Sequence, residues 1–130
     1  MFSVFSALFV LTFLVEDCGE VIDIAAWQPR TGQLATRRHA GFAIGQEGIF
    51  NPATYFADGV LQVHETPLQW LQAEREGIVI LRPDLVHAYL AGCQRIVCPD
   101  ARFAREVEAW VQSPKPTVEI FVAVQERAAA

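Results

Sequence analysis

The feature that most limits what this chain can fold into is the alternation of strand-like and helix-like stretches from residue 60 onward. VLQVH at 60–64 reads as a strand, and Thr66-Pro67-Leu68-Gln69 is a capping box with proline at the first helical position. The helix it opens is expected to run to Gly77. IVIL at 78–81 is a continuous apolar run, the pattern of a strand covered on both faces. Pro83 opens a second helix ending near Gly92, RIVC at 95–98 is a third strand, and Asp100 caps a helix on which Phe103, Val107, Trp110 and Val111 share a face. After Ser113-Pro114-Lys115-Pro116, TVEIFVAV at 117–124 places Val118, Ile120, Val122 and Val124 on one side and reads as the last strand. Such alternation implies right-handed crossovers and a largely parallel sheet.

The front half carries a different pattern. VIDIAAW at 21–27 reads as a strand, QPRTGQ at 28–33 is turn chemistry, and a second strand is expected within 34–44. Gly45, Gly48 and Asn51-Pro52 break the chain repeatedly, so 45–59 is expected to be loop with at most one short helix through Ala53–Ala57. The expected fold is α/β: one layered domain over 16–124, an N-terminal β-hairpin followed by a β-α-β-α-β-α-β unit, with 125–130 as a frayed tail.

Residues 1–15, MFSVFSALFVLTFLV, carry no charge and four of the nine phenylalanines. They alone supply the positive mean hydropathy of +0.25; the remainder averages about zero, as in an ordinary soluble domain. The stretch lacks a basic n-region and a small-x-small cleavage site, which argues against a secretory signal. It is also shorter than the ~20 residues that span a bilayer. A buried helix or strand, or an N-terminal extension, is the first expectation for it, and a membrane anchor the alternative.

Composition narrows the chemistry. Ten basic and fifteen acidic residues give a formal charge of −5, and Arg37-Arg38-His39 is the one basic cluster, so charge gives no support to broad nucleic-acid binding. Three cysteines in a chain that is 52% hydrophobic fit a reducing, cytoplasmic compartment better than an oxidising one, with membrane association through residues 1–15 as the alternative.

Glu65 and Asp100 follow the first and third strands of the alternating unit, the edge where open α/β sheets place ligands, and two carboxylates there could hold Mg²⁺. Each also has a structural reading, Asp100 as a helix cap and Glu65 as a charge favouring a helix N-terminus. Cys93 and Cys98 are weaker candidates for Zn²⁺, because two further ligands would have to come from Cys18, His39, His64 or His87. On a helical wheel Leu85, Ala88 and Tyr89 share a face and His87 lies opposite, in solvent. No P-loop is present, no serine is placed as a nucleophile, and Trp27, Trp70 and Trp110 lack the interleaved basic residues of a base-stacking surface.

The order strand-Glu65-helix-strand-helix-strand-Asp100-helix-strand resembles the toprim domain of primases and topoisomerases, over residues 60–124. That resemblance implies a Mg²⁺ site for nucleotidyl transfer or strand cleavage. The family's acidic residue is usually followed by glycine, where this chain has Thr66, and of its Asp-x-Asp pair Cys98-Pro99-Asp100 keeps the second member only. The resemblance thus implies a degenerate, metal-poor relative. CGEVIDIAAW at 18–27 is similar to the end of a primase zinc ribbon, without the other ribbon cysteines. VIDIAAW followed by TPLQWL and GIVIL also resembles small proteins of alphaproteobacterial prophages and plasmids encoded beside replication genes.

The expected function is that of a small accessory protein without catalysis or cofactor, acting on another protein and linked to DNA replication in a mobile element. The alternatives are a divergent toprim-like Mg²⁺ enzyme using Glu65 and Asp100, and a membrane-tethered domain.

Overall fold

A computed structural model describes residues 9–113 and 120–122. It contains two sheets. The first is antiparallel, with strands β1 (Leu11–Asp17), β2 (Glu20–Gln28) and β3 (Gln33–Thr36) in that order. The second comprises β4 (Ala43–Ile44), β5 (Leu61–His64), β6 (Ile78–Ile80) and β7 (Ile96–Val97) in the order β4-β6-β5-β7. β5 pairs in parallel with both β6 and β7, whereas β4 is antiparallel to β6. The chain is therefore a mixed α/β protein, and the expected parallel pairing is confined to β6-β5-β7.

The apolar N-terminal stretch enters the first sheet: Leu11–Val15 are the opening residues of β1, which pairs with β2 from Leu11↔Trp27 to Asp17↔Glu20. A two-residue turn joins them, with Cys18 and Gly19 both at positive φ, the geometry that matches the twist of a hairpin. Along β1, Leu11, Phe13 and Val15 turn inward while Thr12, Leu14 and Glu16 are exposed, as a period of two requires. The expected hairpin is present one step later, as β2 and β3, closed by the Gly32 N–H donating to the Gln28 carbonyl at 2.8 Å.

The described residues also form three α-helices: α1 (Pro67–Gln72), α2 (Val86–Leu90) and α3 (Ala101–Gln112). Short 3-10 helices occupy Gln46–Phe50, Pro52–Tyr55 and Pro83–Leu85, so the 45–59 connection is more ordered than expected. The capping box at Thr66 and Gln69 is formed. The helix it opens, however, stops at Gln72 rather than reaching Gly77. The Arg75 N–H bonds back to the Trp70 carbonyl at 2.9 Å, and Glu74 and Arg75 both take positive φ, turning the chain abruptly toward β6. On α2 the buried positions are Val86 and Leu90, and Ala88 is exposed; His87 is half-buried and meets the Ser113 carbonyl. On α3 Phe103 and Val107 are buried and Trp110 packs beside them, while Val111 stays exposed. The expected strand at 117–124 lies mostly outside the described residues. Its described part, Ile120–Val122, forms no strand.

Two apolar clusters hold the layers together. Phe42, Leu61, Val63, Ile78, Phe103 and Val107 fill the helical side of the second sheet, with Phe42 stacked on Tyr89 at a centroid separation of 4.5 Å. Val15, Ala25, Ile44 and Val79 form the other cluster, with Phe13 and Trp70 against it. Gly41 makes that approach possible, since a Cβ there would stand 2.7 Å from Val15 Cγ1. At this contact the first sheet lies over β4 and β6.

Candidate functional site

In the second sheet β5 and β7 are parallel neighbours, and the strand that follows β5, β6, lies on its other side. Between their carboxyl ends is the position where α/β sheets open a crevice. A cleft of about 360 Å³ sits there, lined by Gln62, His64, Gln69, Val97, Cys98 and Pro99 among others. Glu65 and Asp100 flank this end but are both engaged. Arg102, in the first turn of α3, donates from Nη2 to both Glu65 carboxylate oxygens at 2.6 Å, and from Nη1 to Glu106. The hydrogen bond to Glu65, then its charge, raises the Arg102 pKa above its ordinary value, with Asp100 and Glu106 adding to it. Asp100 Oδ1 accepts the Phe103 N–H at 2.7 Å and caps α3.

This arrangement places both expected carboxylates at one sheet edge while assigning each a structural task. Glu65 faces a guanidinium, which competes for the oxygen lone pairs a Mg²⁺ ion would need. Among the described residues no three His, Cys, Asp or Glu side chains group so as to hold a metal. Removing the cap is a modest perturbation: Asp100→Ala is expected to cost about 1 kcal/mol in urea unfolding, the usual loss for an N-cap.

The cysteine candidates are separated by their partners. Cys93 Sγ lies 3.4 Å from the Tyr55 hydroxyl, which also donates to the Ile49 carbonyl at 2.5 Å. Burial, followed by the hydrogen bond and charge of Cys93, pushes the Tyr55 pKa up to about 12. Cys98 lines the crevice, and burial, then Asp100, pushes its thiol up. Cys18 sits exposed at the β1–β2 turn, its thiol raised by the charge of Asp17 first. Thiols shifted upward are poor thiolates, so neither Cys98 nor Cys18 has the environment of a reactive cysteine. His64 Nε2 is 2.8 Å from the Glu76 carbonyl, and His39 offers its carbonyl to Arg82. Cys93 and Cys98 are thus not gathered with Cys18, His39, His64 or His87 into a zinc site.

Two features escaped the sequence reading. Asp23 is buried in β2 and accepts four backbone N–H groups, from Ile24 and Arg38 on Oδ1 and from Ala40 and Gly41 on Oδ2. Alternation does not reveal its inward position, because VIDIAAW is apolar on both faces of the strand and Val21, two residues before Asp23, is exposed. Gln46 Oε1 similarly accepts the Phe42 and Ala43 N–H groups, while its buried Nε2 has no partner among the described residues.

The second feature is a groove of about 520 Å³ along β1. One wall is β1 itself, through Thr12, Phe13, Leu14 and Glu16; the other is Trp70, Leu71 and Arg75, with Gly45 and Glu47 beneath. Consecutive β1 residues of both facings line it, so the strand presents its edge to the groove. Among the described residues β1 is a terminal strand of its sheet, and its outer edge has no partner strand there. Phe13 meets Trp70 edge to face at 6.1 Å, and Trp70 Nε1 donates to the Gly77 carbonyl at 3.0 Å. Glu47 accepts the Gly19 N–H at 3.3 Å, closing the hairpin end. The lining is thus aromatic where Phe13 and Trp70 meet, and Glu16, Glu47 and Arg75 give it charge.

No family model, curated protein or solved structure matches the chain.

Proposed function

We propose that the chain is an accessory protein that works by binding another polypeptide, in extended conformation, in the groove along β1. The observation that carries this reading is the groove itself: a strand edge without a partner strand among the described residues, beside an apolar trough built on Phe13, Trp70 and Leu71. Such an edge offers main-chain hydrogen bonds for affinity, and the trough offers pockets for alternate side chains. Leu14 and Leu71, at 55% and 39% exposure, are apolar surface that a bound strand would cover. A setting in phage or plasmid replication is part of the proposal, supported by the sequence resemblance of VIDIAAW and TPLQWL.

The test is selection of a phage-displayed peptide library on the full-length protein. Peptides alternating apolar and polar residues should be enriched, and should be lost on Leu71→Arg with circular dichroism unchanged. Enrichment without any such pattern, or equal recovery on the variant, would count against the groove.

The Mg²⁺-dependent alternative is separated by NMR. With Arg102 on Glu65 and the α3 cap on Asp100, millimolar Mg²⁺ is expected to leave the signals of both residues in place. Concerted shifts of the two would favour the metal-dependent reading instead.

A further inference from the structure

The chain contains a segment with the chemistry that the β1 groove would select. Thr117–Val124 alternates Val118, Ile120, Val122 and Val124 on one side, and its described residues Ile120, Phe121 and Val122 are 86%, 83% and 82% exposed. Three consecutive large apolar side chains held in water are costly, and an alternating apolar stretch of this kind pairs readily with an open strand edge. At eight residues it matches the seven of β1, whereas the terminal strand β7 offers two.

The chain leaves α3 in an extended conformation. Ser113 is extended, at φ −57° and ψ 135°, as a residue preceding proline should be, and Pro116 follows two residues after Pro114. α3 packs on the helical side of the second sheet, and the β1 groove belongs to the opposite side. A neighbouring molecule can present the segment to the groove without that detour.

Charge fixes a direction. Lys115, the one lysine of the chain, precedes the segment, and Glu119 lies within it. Glu16 and Glu47 stand at the hairpin end of the groove, and Arg75, just past α1, lines its other wall. With Lys115 at the acidic end, the segment runs antiparallel to β1, and Arg75 is available to Glu119.

We infer that residues 117–124 of a second copy of this chain dock as an added strand on β1, and that reciprocal exchange closes a dimer. The inference rests on the groove reading above and names its occupant.

Sedimentation velocity of the full chain over about 10–200 µM should show a concentration-dependent dimer. Ile120→Asp, Val122→Asp and Leu71→Arg should each weaken it by at least about tenfold. All three positions are exposed, and unchanged circular dichroism would confirm that the fold is kept. An equimolar mixture of Ile120→Asp and Leu71→Arg should regain dimer, because the first retains an intact groove and the second an intact strand. A monomeric wild-type chain, or no recovery in the mixture, would overturn the inference. A labelled peptide of residues 115–124 separates the two levels. If it fails to bind while library-selected peptides still do, the occupant is wrong and the groove stands; if neither binds, both fail.

Discussion

Asp23→Ala is expected to lower the unfolding free energy by about 3–5 kcal/mol, measured by urea denaturation at neutral pH. The carboxylate is 2% exposed and is the shared acceptor for four backbone N–H groups at 2.8 to 3.1 Å. Three of those donors, on Arg38, Ala40 and Gly41, belong to the segment that carries the chain from the first sheet to the second. Each buried donor left without an acceptor costs about 1–3 kcal/mol. The loss falls short of four such penalties because the exposed part of this segment, Arg37–Ala40, can turn toward water. Asp23→Asn should cost less, about 2–3 kcal/mol, since one oxygen remains while the new NH₂ opposes two donors.

The same residue gives a pH signature. Burial pushes the Asp23 carboxyl up, and the four backbone N–H groups, Arg38 foremost, more than offset it, so the folded pKa lies below its ordinary 3.8. A depressed folded pKa means that the unfolded chain binds the extra proton first. Its stabilisation is therefore fully present above the unfolded value and is lost as pH falls through the folded one. The stability difference between wild type and Asp23→Asn should be flat from neutrality to about pH 5 and shrink below about pH 4. A difference that stays constant down to about pH 2 would mean that the carboxylate is not the group being stabilised.

Much of the second half was legible because its signals are local. The capping box at Thr66 and the cap at Asp100 announce helix starts through residues within one turn, and both form. Helix ends depend on where the chain must go next. α1 stops at Gln72 because the following residues have to bring β6 against β5, a demand set by pairing between Val63 and Ile78 rather than by propensity. β1 was ambiguous for another reason: residues 1–15 are apolar except for Ser3, Ser6 and Thr12, so neither a period of two nor of 3.6 stands out. Its strand character comes from pairing with β2 through a Cys18-Gly19 turn, a pair less diagnostic than Asn-Gly. The groove was invisible for the most physical reason, since its walls are β1 and α1, more than fifty residues apart, and its edge is a property of strand order. Glu65 directly follows β5 and Asp100 lies between β7 and α3, positions that the local strand and helix signals mark. What sequence could not supply was Arg102, whose side chain reaches Glu65 only because β5 and β7 are neighbours.

Gly45→Ala is expected to be nearly as damaging as loss of Asp23, at about 2–4 kcal/mol, and to disturb the groove directly. Gly45 has φ 80° and ψ 16°, a left-handed conformation that costs an L-residue about 1–2 kcal/mol. Unlike an exposed turn, it also sits where a Cβ would be 2.6 Å from the Gly77 carbonyl oxygen and 3.1 Å from Trp70 Nε1. Those two atoms are the partners of one hydrogen bond, so the methyl group would press on both ends of the contact that fixes the Trp70 indole. Backbone on the other side cannot rotate away as a side chain would, which adds an overpacking cost of about 1–3 kcal/mol. Gly19→Ala is the matched control: its φ is 78°, and a Cβ there meets nothing within 4 Å. It should show the conformational cost alone. The difference between the two variants in urea unfolding then isolates the steric term, and tryptophan fluorescence should shift for Gly45→Ala and not for Gly19→Ala. If both variants lose equal stability and neither moves the fluorescence, the Gly45–Gly77–Trp70 contact does not set the groove floor.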